Sequence, residues 1–279
     1  MIKKCFAKIN LSLDIISKRA DSYHNIDTLM ARINLFDKLE IKKSNDDKFT
    51  YKSNIDLGNL EDNLIYKAYE LMKNLAGDRA TGISVNLTKN IPVAAGLAGG
   101  STNAAETMKA LNELWNLGLS KNKLMNEGAK LGADIPFFFL DRSARATGIG
   151  EILEPFSIKT PLKILLINDG TSISSAHVYK NTKLFGHMDN NKIISGLEEG
   201  AWSVVNNFEN VMEEVVLRDF PHLVDIKENI LNNGAIKSLV SGSGASIFGI
   251  FKDQESLDLA YESLKDSYSL VRKVDLIDD

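Results

Sequence analysis

A glycine-rich segment carries the strongest chemical signal in the sequence. It follows an alternating strand pattern at 83–88 and runs into a helical pattern. Its glycines let the backbone turn tightly and approach a ligand, and the N–H groups at a helix start favour an anion. The segment therefore predicts a phosphate-binding loop, comprising Pro92, Val93, Ala94, Ala95, Gly96, Leu97, Ala98, Gly99, Gly100, Ser101 and Thr102. The alternative is a plain glycine-rich turn in which the hydroxyl of Ser101 or Thr102 caps the helix.

A second loop of small residues, 241–246, lies between two predicted strands. Alone it is equally compatible with an ordinary hairpin. Neither loop matches the Gly-Lys-Ser/Thr phosphate loop or the Gly-x-Gly-x-x-Gly dinucleotide fingerprint. Two such loops in one chain nevertheless favour a nucleotide ligand.

The first predicted strand, over residues 3–16, carries polar side chains at alternate positions. Period two places Lys8, Asn10, Ser12 and Asp14 on one face and apolar side chains on the other. This polar face predicts either one wall of a polar cleft or an ordinary solvent-facing side of a strand.

Two further positions could take part in chemistry. Asp134 is flanked by apolar residues and precedes Pro136, which indicates either a cap or a functional carboxylate. Tyr23 and His24 follow the first strand, where an aromatic ring beside an imidazole can stack on and hydrogen-bond a base, or simply form a partly exposed loop.

The composition is that of an ordinary globular protein and argues against several classes. The 279 residues are 44% hydrophobic and 25% charged, with a net charge of −4 and scattered basic residues, so we expect no nucleic-acid partner. The lone Cys5 excludes an internal disulfide, and we expect a buried structural thiol. The four histidines show no metal-ligand spacing, and no apolar run is long enough for a membrane span. A charge-interrupted N-terminus is unlike a signal peptide, so we expect a cytoplasmic protein with no membrane partner.

The elements that position these residues mix strands and helices without regular alternation, which predicts an α+β fold. In the first half we expect strands over 3–16, 26–43 (with a break near Asp37), 83–88, 136–140 and 144–147, and helices over 61–76, 100–117 and 121–132. In the second half we expect strands over 162–168, 236–241, 246–251 and 268–276, mostly helix over 175–232, and a helix over 255–266. A domain boundary is predicted at 154/155, giving domains 1–154 and 155–279.

Three separated motifs now support a resemblance. The segments 7–13, 92–105 and 241–246 resemble, in order and spacing, those of the GHMP small-molecule kinases, named for galactose, homoserine, mevalonate and phosphomevalonate. Four other segments narrow the match: 19–24, 61–64, 131–137 and 148–151 resemble the 4-diphosphocytidyl-2-C-methyl-D-erythritol kinases.

The resemblance implies a two-domain GHMP kinase fold with the active site in the cleft between domains. It also implies ATP-dependent phosphorylation of the 2-hydroxyl of the methylerythritol unit, with magnesium accompanying ATP and no protein ligand of the metal assigned. Carried over by position, Asp134 is expected as the general base and Lys8 as its cationic partner. The segment 92–102 is expected to bind the ATP phosphates, and Lys89 to lie near the nucleoside.

For the acceptor, the resemblance implies that Tyr23 and His24 hold the cytosine and that Asn10 lines the pocket. A monomer or weak homodimer is the family-like expectation. Two other hypotheses stay open: a kinase for another small alcohol, such as homoserine or mevalonate, and a catalytically silent nucleotide-binding module. The cytosine-binding pair argues against the first, and the presence of both Lys8 and Asp134 argues against the second.

The sequence departs from the family pattern at three single positions. Ser22 and Ala98 stand where a glycine is usual, and Thr102 stands where a serine is usual. In addition, residues 142–145 include Arg142 and Arg145 in a stretch that is usually rich in glycine and alanine. Whether either arginine contacts a phosphate is open at the level of sequence.

Overall fold

The computed structural model describes residues 1–44, 46–183 and 186–277, and these form two compact units. The first unit comprises Met1–Ala7, Leu35–Ile91 and Ala98–Asp141. The second comprises Lys8–Asn34, Pro92–Leu97 and the chain from Arg142 onward. Both units are discontinuous in sequence, whereas the sequence pattern predicts a single boundary at 154/155.

Two long strands supply residues to both units. They are β1 (Ile2–Lys18) and β2 (His24–Lys43), and β2 is continuous, so the predicted break near Asp37 is wrong. An aspartate disfavours a strand by propensity, but tertiary contacts override that weak preference here.

The described residues of the first unit combine paired strands with three α-helices. Strand β4 (Ile83–Thr88) pairs antiparallel with the end of β2 and parallel with β3 (Phe49–Ser53). The helices are α1 (Leu64–Ala76), α2 (Gly99–Leu114) and α3 (Lys121–Ala129), and α1 packs against α2. Asn63, from one of the family-like segments, caps α1 by accepting a hydrogen bond from the Ile65 N–H at 2.9 Å.

The predicted strand over 136–140 is wrong. Pro136–Phe139 forms a short 3-10 helix, and its three phenylalanines are buried. A short apolar run is ambiguous between a strand and a buried helical turn, and a proline at the first helical position favours the turn.

The second unit contains two further sets of strands. The beginning of β2 pairs antiparallel with β5 (Ala144–Thr147), which pairs with β6 (Ile152–Pro155). A four-stranded antiparallel sheet has the order β10-β7-β9-β8. Its strands are β7 (Lys163–Asn168), β8 (Lys237–Val240), β9 (Ile247–Phe251) and β10 (Leu270–Val274).

Five helices complete the second unit within the residues described. They are α4 (Ser175–Asn181), α5 (Asn190–Glu199), α6 (Glu213–Asp219), α7 (His222–Asn232) and α8 (Gln254–Leu264). This confirms the mostly helical prediction for 175–232, although residues 184–185 lie outside the described part of the chain. The core packs apolar side chains of α6, α7 and α8 against the four-stranded sheet, including Val216, Ile230, Leu257 and Phe251.

Two expectations from composition can be compared with these elements. Cys5 is buried, and burial raises the pKa of its thiol well above the usual range, so it is the structural thiol that was predicted. Across 1–44, 46–183 and 186–277, no helix is both long and apolar enough to cross a membrane.

Candidate functional site

Helix α2 begins inside the glycine-rich segment, in the first unit. Its N-cap residue is Ala98, which adopts the left-handed conformation (φ 53°, ψ 34°) and has no side-chain acceptor. Ser101 and Thr102 are the third and fourth residues of the helix, so the alternative in which their hydroxyls cap it is wrong. The first-turn N–H groups are therefore left uncapped by side chains, which suits an anionic ligand.

Lys89 lies at this helix start and is buried. Its Nζ forms an ion pair with the fully buried carboxylate of Asp37. A Cβ placed on Gly99 would lie 2.9 Å from the same Nζ, which shows how closely the ammonium approaches the first residue of α2. The backbone of Lys89 is also fixed, because its N–H donates to Asn54 Oδ1 at 2.7 Å.

Asp37 gathers four hydrogen-bond donors in the first unit. Its Oδ1 accepts from the N–H groups of Asn90 at 2.7 Å and Ile91 at 2.9 Å. Its Oδ2 accepts from Asn103 Nδ2 at 2.9 Å and from the Lys89 ammonium. Sequence reasoning noted Asp37 only as a possible strand break. The sequence held no clear signal for this role, because the stretch 33–41 also contains Asn34, Lys38 and Glu40.

The polar face of β1 is buried in the second unit, so its solvent-facing interpretation is wrong. Lys8 is 5% exposed and Asn10 2%. Lys8 Nζ donates to Asn10 Oδ1 at 2.6 Å, and Asn10 Nδ2 donates to Thr28 Oγ1 at 2.8 Å. Ser12 Oγ donates to Asn190 Oδ1 at 2.6 Å. Hydrogen bonds at both its oxygen and its nitrogen therefore fix the orientation of the Asn10 amide.

The residues 92–97 and the loop 241–246 meet in the second unit. Ser241 Oγ donates to Gly96 O at 3.0 Å, and the Ser246 N–H donates to Ala95 O at 3.2 Å. The Lys8 N–H donates to Leu97 O at 3.2 Å, which joins β1 to the same cluster. Gly96 has φ 75°, and a Cβ there would lie 1.9 Å from Ser241 O, so only glycine permits this contact.

The loop 241–246 is the hairpin connection between antiparallel β8 and β9. Its ends are bonded, with the Ser241 N–H donating to Ser246 O at 2.9 Å. Asn210 Nδ2 donates to Gly242 O at 2.7 Å and supports the loop from outside the hairpin. Unlike most hairpin tips, this loop is buried, including Ser241 and Ser246.

Asp134 is half-buried in the first unit, in the turn between α3 and the 3-10 helix. The N-cap residue of that helix is Ile135, which directly follows Asp134. The turn is held by the Ile135 N–H, which donates to Gly132 O at 3.1 Å. The fully buried Phe137 follows two residues later and anchors the turn against the core.

Tyr23 and His24 lie side by side in the second unit but differ in environment. Tyr23 is 59% exposed, whereas His24 is partly buried and stacks on the ring of Tyr179, with centroids 5.7 Å apart. Burial, assisted by the nearby charge of Lys18, lowers the pKa of His24 below its usual 6.5. His24 is therefore neutral at pH 7, with one ring nitrogen that donates and one that accepts.

Comparisons with known proteins identify the family. The GHMP kinases N terminal domain matches residues 63–142, and the GHMP kinases C terminal domain matches residues 183–270. The 4-diphosphocytidyl-2-C-methyl-D-erythritol kinase of Thermoanaerobacter pseudethanolicus is 41% identical over 273 residues, covering 96% of this chain and 93% of the relative. The chain belongs to this kinase family.

Other relatives agree with the assignment. The enzyme of the same name from Clostridium botulinum is 38% identical over 275 residues, covering 97% of this chain and 98% of its own. A crystal structure of 4-(cytidine 5'-diphospho)-2C-methyl-D-erythritol kinase matches with a TM-score of 0.84 and 29% identity, covering 99% of both chains. The chain is thus an ATP-dependent kinase of the GHMP class, with the α+β fold predicted for it.

More distant structures match this kinase in fold alone. Mevalonate pyrophosphate decarboxylase from Streptococcus pyogenes gives a TM-score of 0.75 at 14% identity, covering all of this chain and 97% of that one. At 14% identity, a shared fold does not show which substrate a protein binds or which reaction it catalyses.

The arginines that depart from the family pattern have different environments in this kinase. Arg145 forms a two-pronged ion pair with Asp27, at 2.8 Å from Nε and 2.7 Å from Nη2, and its Nη1 donates to Asn191 Oδ1 at 2.9 Å. This hydrogen bonding to Asp27 raises the pKa of the guanidinium. Arg142 is exposed. All the donor nitrogens of Arg145 are thus committed to protein groups within the second unit.

The two positions that lack the family's usual glycine, Ser22 and Ala98, share one backbone conformation in this kinase. Ser22 has φ 71° and Ala98 has φ 53°, both in the left-handed region that favours glycine. Both positions therefore hold a Cβ in a strained backbone conformation. Thr102, the third departure, is buried in α2.

Proposed function

We propose that this kinase transfers the γ-phosphoryl group of ATP to the 2-hydroxyl of 4-diphosphocytidyl-2-C-methyl-D-erythritol, in the non-mevalonate route to isoprenoid precursors. The observation that carries the proposal is the identity of 37–41% over nearly the whole chain to relatives bearing that substrate in their names. The exposed Tyr23 beside the neutral His24 supports a nucleobase in the acceptor, since a homoserine or mevalonate acceptor has no base to bind.

The proposal assigns Asp134 as general base and Lys8 as the cation that assists it. A carboxylate within reach of the acceptor hydroxyl takes its proton as the new P–O bond forms. An ammonium offsets the negative charge on the transferring group, and the buried position of Lys8 strengthens that interaction by excluding water. Asn10, oriented by Lys8 and Thr28, is proposed to line the acceptor pocket.

Residues 92–102 are proposed to bind the ATP phosphates. The uncapped start of α2 supplies N–H donors there. The preceding turn is held by the hydrogen bonds of Ala95 and Gly96 with the hairpin loop 241–246 and of Leu97 with β1. Lys89, fixed through its backbone and its ammonium, is proposed to lie near the nucleoside.

Magnesium accompanies ATP in phosphoryl transfer, where it neutralises phosphate charge. Among the residues that the structure describes, no group of three or more His, Cys, Asp or Glu side chains is arranged to hold a metal ion. We propose that the ion binds through the phosphates and water.

The first test is ADP release with ATP, magnesium and a panel of acceptors, with mass spectrometry of the products. The panel holds 4-diphosphocytidyl-2-C-methyl-D-erythritol, homoserine and mevalonate. A product heavier by one phosphoryl group from the cytidyl compound alone supports the proposal. Phosphorylation of another acceptor keeps the kinase and rejects the substrate, whereas ATP binding without turnover on any acceptor favours a silent nucleotide-binding module.

The base assignment is tested by Asp134→Asn. We expect kcat to fall by about 10²- to 10⁴-fold, the usual contribution of a positioned base, while ATP affinity is retained. Asp141→Asn is the matched control, because Asp141 is an exposed carboxylate of the same unit. A variant with near-wild-type kcat would show that Asp134 is not the base.

The acceptor site is tested by Tyr23→Ala, which removes the exposed ring. We expect the KM for the cytidyl substrate to rise by about tenfold, the size of a lost base–aromatic stack, with little change in the KM for ATP. Tyr23→Phe keeps the ring and should behave like the wild type. Equal effects of Tyr23→Ala on both KM values would make Tyr23 structural.

A further inference from the structure

The structure assigns a further positioning residue: we propose that Asp37 holds together the two ends of the ATP phosphate-binding segment and thereby sets the affinity for the nucleotide. The assignment rests on the proposed role of 92–102. Asp37 itself lies in β2, and its side chain is fully buried.

One oxygen of Asp37 fixes the chain where it enters the glycine-rich segment. Oδ1 accepts the N–H groups of Asn90 and Ile91, the two residues immediately before Pro92. The side chain of Asn90 adds a third link to β2, because its Nδ2 donates to Phe36 O at 2.9 Å. The residues that lead into the segment are therefore attached to the strand that carries Asp37.

The other oxygen fixes the chain where it leaves the segment. Oδ2 accepts from Nδ2 of Asn103, which lies in the first part of α2 at the position after Thr102. Asn103 is 3% exposed, so this hydrogen bond is shielded from competing water. One carboxylate thus sets the distance between Ile91 and the start of α2.

Lys89 places an opposite charge next to this carboxylate. Its ammonium contacts Oδ2, and the negative charge also lies near the positive end of the α2 dipole. A buried carboxylate with four donors is held in one orientation, whereas a neutral side chain of the same shape would donate where it now accepts. We call the hydrogen bonds of Asp37 to Asn90, Ile91 and Asn103 the Asp37 clamp. The clamp depends on the negative charge of Asp37 as well as on the shape of its side chain.

Phosphate binding by backbone N–H groups is sensitive to position, because the donors must converge on the oxygens at hydrogen-bond distance. The glycines of the segment leave its backbone free to adopt other conformations unless its ends are fixed. Asp37 is in this sense a positioning residue rather than a catalytic one, and its loss should weaken nucleotide binding before it changes acceptor binding.

The test measures the Kd of ADP by calorimetry, and KM for ATP and for the cytidyl acceptor, in Asp37→Asn and Asn103→Ala. We expect ADP affinity and the KM for ATP to worsen by about 10- to 100-fold in Asp37→Asn and by a smaller factor in Asn103→Ala. The acceptor KM should change less than about twofold. The double variant should bind ADP no more weakly than Asp37→Asn, because both changes break the same link.

Glu127→Gln is the matched control. Glu127 is a nearly buried carboxylate of the same unit, and it is paired with Lys123 at 2.8 Å and Lys130 at 2.7 Å. Its substitution should lower stability without changing ADP affinity, which separates a local clamp from general weakening of the unit. If Asp37→Asn does not fold, Asn103→Ala decides the question, since it keeps the Asp37–Lys89 pair.

Unchanged ADP affinity in a folded variant, or a parallel rise of both KM values, would overturn the clamp. A wild-type chain that binds ADP but does not phosphorylate the cytidyl acceptor would reject the proposed substrate and leave the clamp testable by ADP affinity. A wild-type chain that binds neither ADP nor ATP would reject both.

Discussion

Two fully buried aspartates on the long strands make an instructive pair, one in each unit. Asp37 in the first unit accepts hydrogen bonds from two backbone N–H groups, an amide side chain and the ammonium of Lys89. Asp14 in the second unit accepts from three backbone N–H groups, those of Gly186, His187 and Met188, at 2.8–3.1 Å.

The pair shows that a carboxylate withdrawn from water fixes whichever segment supplies its donors. Asp14 accepts from the backbone N–H groups of one stretch, 186–188, and so anchors that stretch to β1. Asp37 accepts hydrogen bonds from two stretches, 89–91 and the start of α2, and one of its donors, the Lys89 ammonium, carries the opposite charge. Because a buried ion left without its partner is far more costly than a lost neutral hydrogen bond, the two sites should respond differently to the same Asp→Asn change.

The largest effect is expected for Asp37→Asn, which leaves the Lys89 ammonium buried without its carboxylate. We expect a loss of about 3–5 kcal/mol in the free energy of unfolding, the usual cost of breaking a buried pair from one side. Urea denaturation measures it. Adding Lys89→Met to Asp37→Asn should restore much of the loss, and failure to do so would mean that the charge is not what separates the two sites.

A smaller effect is expected for Asp14→Asn. The amide retains one acceptor oxygen but places an NH₂ group against backbone donors, so we expect a loss of about 1–3 kcal/mol by the same denaturation. Amide hydrogen exchange should also become faster in the segment 186–188, while the amides of residues 89–91 keep their protection from exchange. A loss equal to that of Asp37→Asn would remove the distinction drawn between the two carboxylates.

Mild acid should act on the second unit through His24. Its folded-state pKa is lowered by burial, so the unfolded chain binds the proton more readily. Stability from this group is fully present above pH 6.5 and falls as the pH drops from 6.5 through the lower folded-state pKa. Unfolding followed between pH 7.5 and 5.5 should show this loss in the wild type and not in His24→Gln, and NMR titration of His24 gives the pKa directly.

The smallest effects are expected at the two left-handed departures, again one in each unit. Ala98→Gly and Ser22→Gly remove a Cβ from a disfavoured conformation, worth about 1–2 kcal/mol, but add freedom to the unfolded chain. We expect a net gain of about 0.5–1 kcal/mol for each in thermal or urea unfolding. Ala95→Gly, outside the left-handed region, is the control and should lower stability.

Much of this protein was predictable from local pattern. The helices predicted over 61–76 and 255–266 are observed at Leu64–Ala76 and Gln254–Leu264, and the strand over 83–88 is observed as predicted. Local pattern suffices for them because a buried face repeats with the period of its element. The family was predictable from seven segments whose residue types are tied to one chemistry. The short strands Phe49–Ser53 and Ile152–Pro155 were missed, since few of their residues are buried and they exist by pairing with neighbours.

What the sequence determined by itself is the class of fold, the family and the set of polar residues available for chemistry. Tertiary structure decided which of them are buried and what they contact. Lys8 alternates with apolar residues in a way equally suited to a surface, and only packing on both faces of β1 removes it from water. Asp37 looked like an interruption because its four donors come from residues up to 66 positions away in the chain. The periodicity of apolar residues shows which helix or strand a residue belongs to. Its hydrogen-bond partners and its burial depend on which other elements pack against that helix or strand.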